Sequence, residues 1–280
     1  MNPLGINLWN WVNELGPGCA GLPEKIRAMG FTAIELPMSQ PEPDEALMAE
    51  VRSSGLRVSL CAAMGPGRDM SSFDPEVRRR SLDYLTACLK TAERLDCHIL
   101  AGPLYAGGGK RHLLPESERE REWALAVESV STLARRAAER GVRLALEPLN
   151  RYRTSVVNTA EQCLRMVRDI GMDNVGVHFD TYQAGIEEED LVGALKNVSD
   201  VGKLYHVHAC ANNRGGPGRG FFPWADIWAV VKACGYSGHI TMETFAPGGL
   251  DSGWTQPDGT PDEAARRGIR YLQSVFEKGT

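Results

Sequence analysis

No stretch of the 280-residue sequence approaches the ~20 consecutive apolar residues that a membrane-spanning helix needs, and the longest apolar runs are strand-sized. That excludes a helical membrane protein. Cysteine is sparse and unpatterned. Cys19, Cys61, Cys88, Cys97, Cys163, Cys210 and Cys234 are odd in number and contain no Cys-x-x-Cys. A zinc ribbon and a disulfide frame are therefore excluded, and reduced thiols in a cytoplasmic protein are expected. Positive charge is in deficit, with 31 Lys+Arg against 36 Asp+Glu and a net charge of −5. Such a balance argues against binding a nucleic-acid backbone. The first residues carry no basic region followed by a long apolar one, so no signal peptide is expected. No Gly-x-Gly-x-x-Gly opens a helix after the first apolar run, which removes the dinucleotide-binding form of an open sheet. No Pro/Gly/Ser-rich linker divides the chain.

What is present is a regular beat. Hydrophobic residues make up 42% and charged residues 24%, ordinary for a globular fold with a sizeable core. Strand-like runs at residues 4–9, 31–36, 57–62, 98–100, 142–146, 175–179, 204–209 and 239–245 alternate with helical patterns. Those helices fall at 22–29, 44–52, 75–95, 116–140, 159–170, 190–198, 224–233 and 262–276, and glycines 30, 55, 141, 171 and 235 stand where C-terminal caps belong. Strict strand–helix alternation implies a parallel sheet, and eight units predict an α/β fold with a single (β/α)8 TIM barrel over residues 1–280.

Strand side chains alternate between two faces. With the apolar set turned to the helices, four successive strands aim Glu147, Asp180, His208 and Glu243 inward at their C-terminal ends, where the active sites of such barrels lie. Three carboxylates converging on one imidazole repel unless a cation neutralises them. An oxygen-rich set with a single imidazole suits Mn²⁺, with Mg²⁺ or Co²⁺ as alternatives. Arg143, His178, His206 and His239 fall deeper and are expected to be structural, orienting Asp180 and His208. The glycine run at 107–109, followed by Lys110 and Arg111, reads as a mobile lid. The glycine-rich loop 212–220 carries Arg214 and Arg219 and leaves a phosphosugar open. The stretch 246–261, rich in Gly, Pro and Asp, reads as an irregular cover or an oligomer contact.

Five motifs together resemble the xylose isomerase-like (AP endonuclease family 2) barrels. They are Glu147-Pro148-Leu149-Asn150-Arg151, His178-Phe179-Asp180-Thr181-Tyr182, His206-Val207-His208, Asn213-Arg214-Gly215 with Pro217-Gly218, and Met242-Glu243-Thr244-Phe245. The sequence is most similar to the ketose 3-epimerases of D-tagatose/D-psicose or L-ribulose type, chiefly over residues 140–247. The resemblance implies that Glu147, Asp180, His208 and Glu243 hold one divalent metal and that Glu147 and Glu243 double as acid/base catalysts on opposite faces of a sugar. It implies that Arg214 contacts the reacting oxygens, and that Phe245, Trp9 and Trp11 line the apolar side of the pocket. Glu35 on the second strand also fits, as a substrate-side residue. It further implies a homo-oligomer, dimer or tetramer.

Physical chemistry supports such a division of labour. A proton α to a carbonyl becomes removable when a metal stabilises the enediolate, and a second carboxylate then returns it. Return to the same carbon is epimerisation; transfer to the adjacent carbon is isomerisation. In two places the chain departs from those epimerases. They carry a sugar-holding glutamate six residues after Glu147, where this chain has Arg153. They carry a histidine three residues after Asp180, where this chain has Gln183. Both positions concern substrate contact, and the charge reversal suggests a negatively charged substrate or a different sugar end.

The rival on the same barrel is a lyase, dehydratase or decarboxylase acting on a keto-sugar or sugar acid, such as inosose dehydration or 3-keto-C-glycoside cleavage; the cleaving type needs a second, different subunit. A DNA-repair endonuclease would need further histidines for a three-metal cluster, and the third and fourth strands end without them, at Cys61-Ala62-Ala63 and Gly102-Pro103. A non-catalytic binding barrel would have no need of both glutamates.

Overall fold

Leucine, isoleucine and valine alternate with small or polar residues along β-runs such as 4–7, 143–146 and 175–180, and closure of the sheet turns the first set outward onto the helices. The computed structural model describes residues 2–248, 254, 255 and 257–277. Its strands are β1 (Leu4–Asn7), β2 (Ala33–Met38), β3 (Arg57–Ala62), β4 (Ile99–Gly102), β5 (Arg143–Leu146), β6 (Val175–Asp180), β7 (Leu204–Ala209) and β8 (Ile240–Met242). They pair in chain order, all parallel, and β8 closes on β1. The expected single (β/α)8 barrel is the fold observed.

Between the strands run α1 (Leu22–Ala28), α2 (Glu45–Ser54), α3 (Pro75–Arg94), α4 (Glu116–Ala138), α5 (Ala160–Ile170), α6 (Thr181–Glu187), α7 (Leu191–Asp200), α8 (Trp224–Ala233) and α9 (Pro261–Phe276). Their ends follow sequence chemistry. Thr159 with Gln162 and Thr260 with Glu263 form capping boxes at α5 and α9, each cap contributing about 1 kcal/mol. Gly55 and Gly171 terminate α2 and α5 at φ 70° and 68°, a region costly for any residue with a Cβ. Helix α6 has no counterpart in the sequence reading. Its 7 residues are too short for a helical period to show.

The apolar core fills the space between sheet and helices, with Ile6, Ile34, Leu60, Leu144, Phe179 and Val207 all buried. One backbone feature positions the site directly. Gly102 ends β4 at φ 118°, and a Cβ there would lie 2.9 Å from the Ala62 carbonyl oxygen. Only glycine lets β3 and β4 approach so closely, and the Gly102 carbonyl then accepts the backbone N–H of Glu147 at 3.0 Å.

Candidate active site

Register builds the floor of the barrel mouth. Asp180 on β6 pairs with His208 on β7, and His178 with His206 one layer deeper. Glu147 directly follows β5 and Glu243 directly follows β8. The result is convergence: ligand atoms of Glu147, Asp180 and His208 lie within 4.8 Å of one another, and Glu243 Oε1 is 3.3 Å from His208 Nδ1. Asp180 is fixed by a second task. Its Oδ1 caps α6, accepting from the N–H groups of Tyr182 at 2.6 Å and Gln183 at 3.4 Å, which leaves Oδ2 for the mouth.

Beneath this floor lies a buried network centred on Glu35. Asn7, Glu35 and Ser59 share one level through the β1–β2–β3 register. Glu35 Oε1 accepts from Asn7 Nδ2 at 2.8 Å and faces His208 Nε2 at 2.7 Å. Its Oε2 accepts from Ser59 Oγ at 2.9 Å and lies 2.7 Å from His206 Nε2. Glu35 is 0% exposed and is absent from the cavity lining. The substrate-side placement expected for it is therefore corrected: β2 sets this carboxylate under the histidines, out of a sugar's reach. Arg143 also leaves the expected orienting layer, since its guanidinium lies over the Tyr205 ring at the other end of the barrel. Burial alone would push the Glu35 carboxyl up, but His208 and His206 outweigh it and hold Glu35 well below the usual carboxylate range. Burial opposes charge on His208, yet Glu35 and Glu243 raise its pKa well above the ordinary imidazole value. His178 is pushed well down, first by burial and then by the two other histidines.

Above the network, Glu147 is held well above the normal carboxylate range by burial and then by the charges of Asp180 and Glu243. Arg214 reaches into the cluster, where Nη1 donates to Asp180 Oδ2 at 3.1 Å and to Glu243 Oε2 at 3.0 Å. It does so from φ 61°, a backbone strain of about 1–3 kcal/mol in a non-glycine residue. The turn holds that strain through Arg214 N–H to Ala211 O and Ala211 N–H to Gly215 O. Trp9 and Phe245 stack with centroids 5.4 Å apart and form one apolar wall with Cys61 and Ala63. The cavity over this floor has a volume of about 410 Å³, and Glu147, Arg153, Gln183, Arg214, Glu243, Phe245 and Trp9 all line it. Trp11 does not. Its indole Nε1 donates to Asp262 Oδ1 at 2.7 Å, and its ring packs on the main core, so the pocket placement expected for Trp11 is corrected too.

The sequence profile of the xylose isomerase-like TIM barrels matches residues 23–275. The chain belongs to that family. Among curated members, a D-psicose 3-epimerase of Ruminiclostridium cellulolyticum is 32% identical over 86% of this chain and 83% of its own. An L-ribulose 3-epimerase of Mesorhizobium japonicum is 31% identical over 79% of this chain and 73% of its own. Among solved structures, one of an L-ribulose 3-epimerase superposes with a TM-score of 0.90 at 26% identity, covering 99% of this chain and 95% of that one. A D-psicose 3-epimerase from Clostridium cellulolyticum H10, solved with D-tagatose, gives 0.86 at 27% identity over 98% and 99%.

In this family member the donor set suits a divalent cation. Glu35 accepts the Nε2 hydrogen of His208, which leaves the buried Nδ1 toward the carboxylates with no hydrogen-bond partner among the described residues. Three oxygen donors and one imidazole nitrogen are the chemistry of a hard-to-intermediate ion. Two loop expectations change. The 107–111 run is tied down: Gly108 N–H donates to Met64 O at 2.6 Å and Gly109 N–H to Arg153 O at 2.9 Å. Lys110 bridges Asp69 at 2.9 Å and Glu122 at 2.5 Å. Arg219 is taken up by Asp258, which also binds Arg267 and accepts the Gly216 N–H, so its positive charge is spent on the loop itself. Of the 246–261 stretch, residues 249–253 and 256 lie outside the described residues. Asn150 was overlooked by sequence reasoning. Its N–H and Nδ2 both donate to Gln183 Oε1, at 3.0 and 2.6 Å. Its place inside the Glu147 motif was the one available signal.

Proposed function

We propose that this protein is a divalent-metal-dependent sugar epimerase that inverts the carbon next to the carbonyl of a ketose or keto-sugar. The observation that carries this reading is the shared cavity floor: Glu147 and Glu243 border one cavity with Arg214 between carboxylates and an apolar aromatic wall beside them. The epimerases named above support it, and they favour reprotonation over the expulsion of a leaving group that a lyase would require.

Glu147, Asp180, His208 and Glu243 would hold the ion, for which Mn²⁺ is our choice and Mg²⁺ or Co²⁺ fit the same donors. Bound there, it supplies Lewis-acid polarisation of the substrate carbonyl. The remaining work belongs to side chains. One of Glu147 and Glu243 removes the proton from the carbon beside the carbonyl, and the other returns one to its opposite face. Burial and the like charges of Asp180 and Glu243 raise the Glu147 pKa, a repulsion that a divalent cation held by these carboxylates would relieve. Arg214 donates to the oxygens on which charge develops, and its hold on Glu243 aims that carboxylate. Trp9 and Phe245 exclude water from one side of the sugar. No described helix is long and apolar enough to cross a membrane, and we place the protein in the cytoplasm. We also propose a homo-oligomer, dimer or tetramer, supported by the exposed Phe221 and Trp254.

The test is a D₂O-exchange screen by NMR over ketohexoses, ketopentoses, sugar acids and 3-keto-glycosides. Deuterium at one carbon with its inverted epimer accumulating is the expected result. Loss of a fragment or of water from the substrate would replace the reading with the lyase.

A further inference from the structure

Arg214 works from a strained position. Its φ of 61° costs about 1–3 kcal/mol, so the surroundings must over-determine the turn. The two bonds inside the turn, Arg214 N–H to Ala211 O at 3.0 Å and Ala211 N–H to Gly215 O at 2.8 Å, are local to the loop. The limb that follows Arg214 is fixed from outside, by Asp258. Its Oδ2 accepts the Gly216 N–H at 2.6 Å. Its Oδ1 binds Arg219 Nη1 from the same loop and Arg267 Nη1 from α9, the latter at 3.0 Å. One carboxylate thus ties the segment just after Arg214, at two points, to the helix behind it.

This carboxylate is buried structure, not a surface pairing. The Asp258 side chain is 1% exposed, while Arg219 and Arg267 are 52% and 49% exposed and would be solvated without it. Burying a carboxylate is costly unless charge and hydrogen bonds compensate, and here two guanidiniums and one backbone N–H do so. Room is made on the loop side, where a Cβ on Gly215 would lie 3.0 Å from Asp258 Oδ2. Helix α9 serves the neighbouring carboxylate as well. Met242, the residue before Glu243, packs on Gly268 of α9, where any Cβ would collide with its Sδ. The same helix therefore fixes Glu243 through Met242 and Arg214 through Asp258, and those two side chains meet at 3.0 Å. Asp258, Arg219 and Arg267 are all absent from the cavity lining, so no substrate contact explains them.

We propose that Asp258 is a positioning residue for the reaction: it holds the Arg214 guanidinium in register with Glu243 and acts on the substrate only through Arg214. This rests on the epimerase reading of the floor. A donor aimed at oxygens where charge develops contributes in the transition state and little in the ground state. A displaced Arg214 therefore slows turnover without weakening substrate binding.

The test is a double-mutant cycle read by deuterium incorporation beside the ketone, with amide exchange of the substrate-free protein as a second readout. Asp258→Ala should lower kcat by about 10–100-fold and change KM by less than about threefold. Asp258→Asn keeps the shape and one oxygen acceptor, and should recover part of that loss. In an Arg214→Gln background, Asp258→Ala should cost less than about twofold more, because its route to the substrate is already gone. By mass spectrometry, backbone amides of residues 211–220 should exchange about tenfold faster in Asp258→Ala than in the parent, with β1 to β6 unchanged. An unchanged kcat in Asp258→Ala, losses that multiply with Arg214→Gln, or unchanged amide exchange at 211–220 overturns the proposal. A parent that puts deuterium into no ketose overturns the epimerase reading, and the amide exchange then decides alone whether Asp258 anchors the turn.

Discussion

Strands β5 to β8 deliver Glu147, Asp180, His208 and Glu243 to the mouth, whereas the segments leaving β1, β3 and β4 line the same cavity with Trp9, Ala63, Met64 and Pro103. The carboxylate that β1 to β4 contribute nearby is Glu35, one layer lower and 0% exposed, and the Cys61 thiol on β3 is kept neutral by burial and the surrounding carboxylates. One half of the barrel thus carries the groups that move protons. The other half carries an apolar wall and a buried counter-charge that aims two histidines of the first. Damage to the β1–β4 half should therefore appear as lost positioning or binding, and damage to the β5–β8 half as lost chemistry.

The strongest way to break this division is to neutralise the acid/base pair. Glu147→Gln and Glu243→Gln should each lower kcat by about 10²–10⁴-fold and stop deuterium exchange, with circular dichroism unchanged. Stripping divalent ions with a chelator should abolish exchange in the unaltered protein, and Mn²⁺ should restore it. Full activity after complete stripping would sink the metal-dependent reading. Next in size is Glu35→Gln. It keeps the shape but removes the charge that faces His206 and His208, so metal affinity should fall by about 10–100-fold. Calorimetric Mn²⁺ titration measures this directly. If that titration matched the parent while substrate KM rose, Glu35 would be a substrate residue after all and the two halves would not differ as described.

Much of this was legible in the sequence because the signals are periodic. The eight-fold beat and the two-residue strand period place Glu147, Asp180, His208 and Glu243 on one face at one depth. Depth below the mouth is harder to read, and the sequence alone sets Glu35 on the substrate side. A single acidic residue inside an apolar strand does not reveal whether water or a histidine meets it. Trp11 misled for a related reason. The resemblance alone put it beside Trp9, two positions earlier, but β1 ends at Asn7 and residues 8–10 form a 3₁₀ turn that carries Trp11 toward Asp262. Helix α6 stays hidden because its 7 residues are too few to show a helical period.

A smaller effect separates the mouth from the opposite end of the barrel. His239 stands just before β8, and its pKa is pushed down to about 3, first by burial and then by His206. A depressed imidazole is neutral in the fold and protonates more readily in the unfolded chain. Its contribution is present above the unfolded value near 6.5 and is lost as pH falls from there toward the folded value. Between pH 7 and pH 5 the parent should lose about 1–2 kcal/mol more stability than His239→Asn. Urea midpoints at the two pH values measure the difference, and parallel slopes would show that His239 is not held neutral.

The smallest expected effect is the sharpest on the wall itself. Trp9 stacks on Phe245 beside the cavity, while Trp11 donates to Asp262, whose side chain is 39% exposed. Trp9→Ala should raise KM by about tenfold, because it removes an aromatic face from a sugar-sized pocket. Trp11→Phe removes only a hydrogen bond near the surface and should cost about 0.5–1.5 kcal/mol of stability. Its kcat and KM should stay within about twofold of the parent. Should Trp11→Phe instead raise KM as much as Trp9→Ala, the apolar wall would extend past the 3₁₀ turn, and β1 would have to be read as presenting both indoles to the substrate.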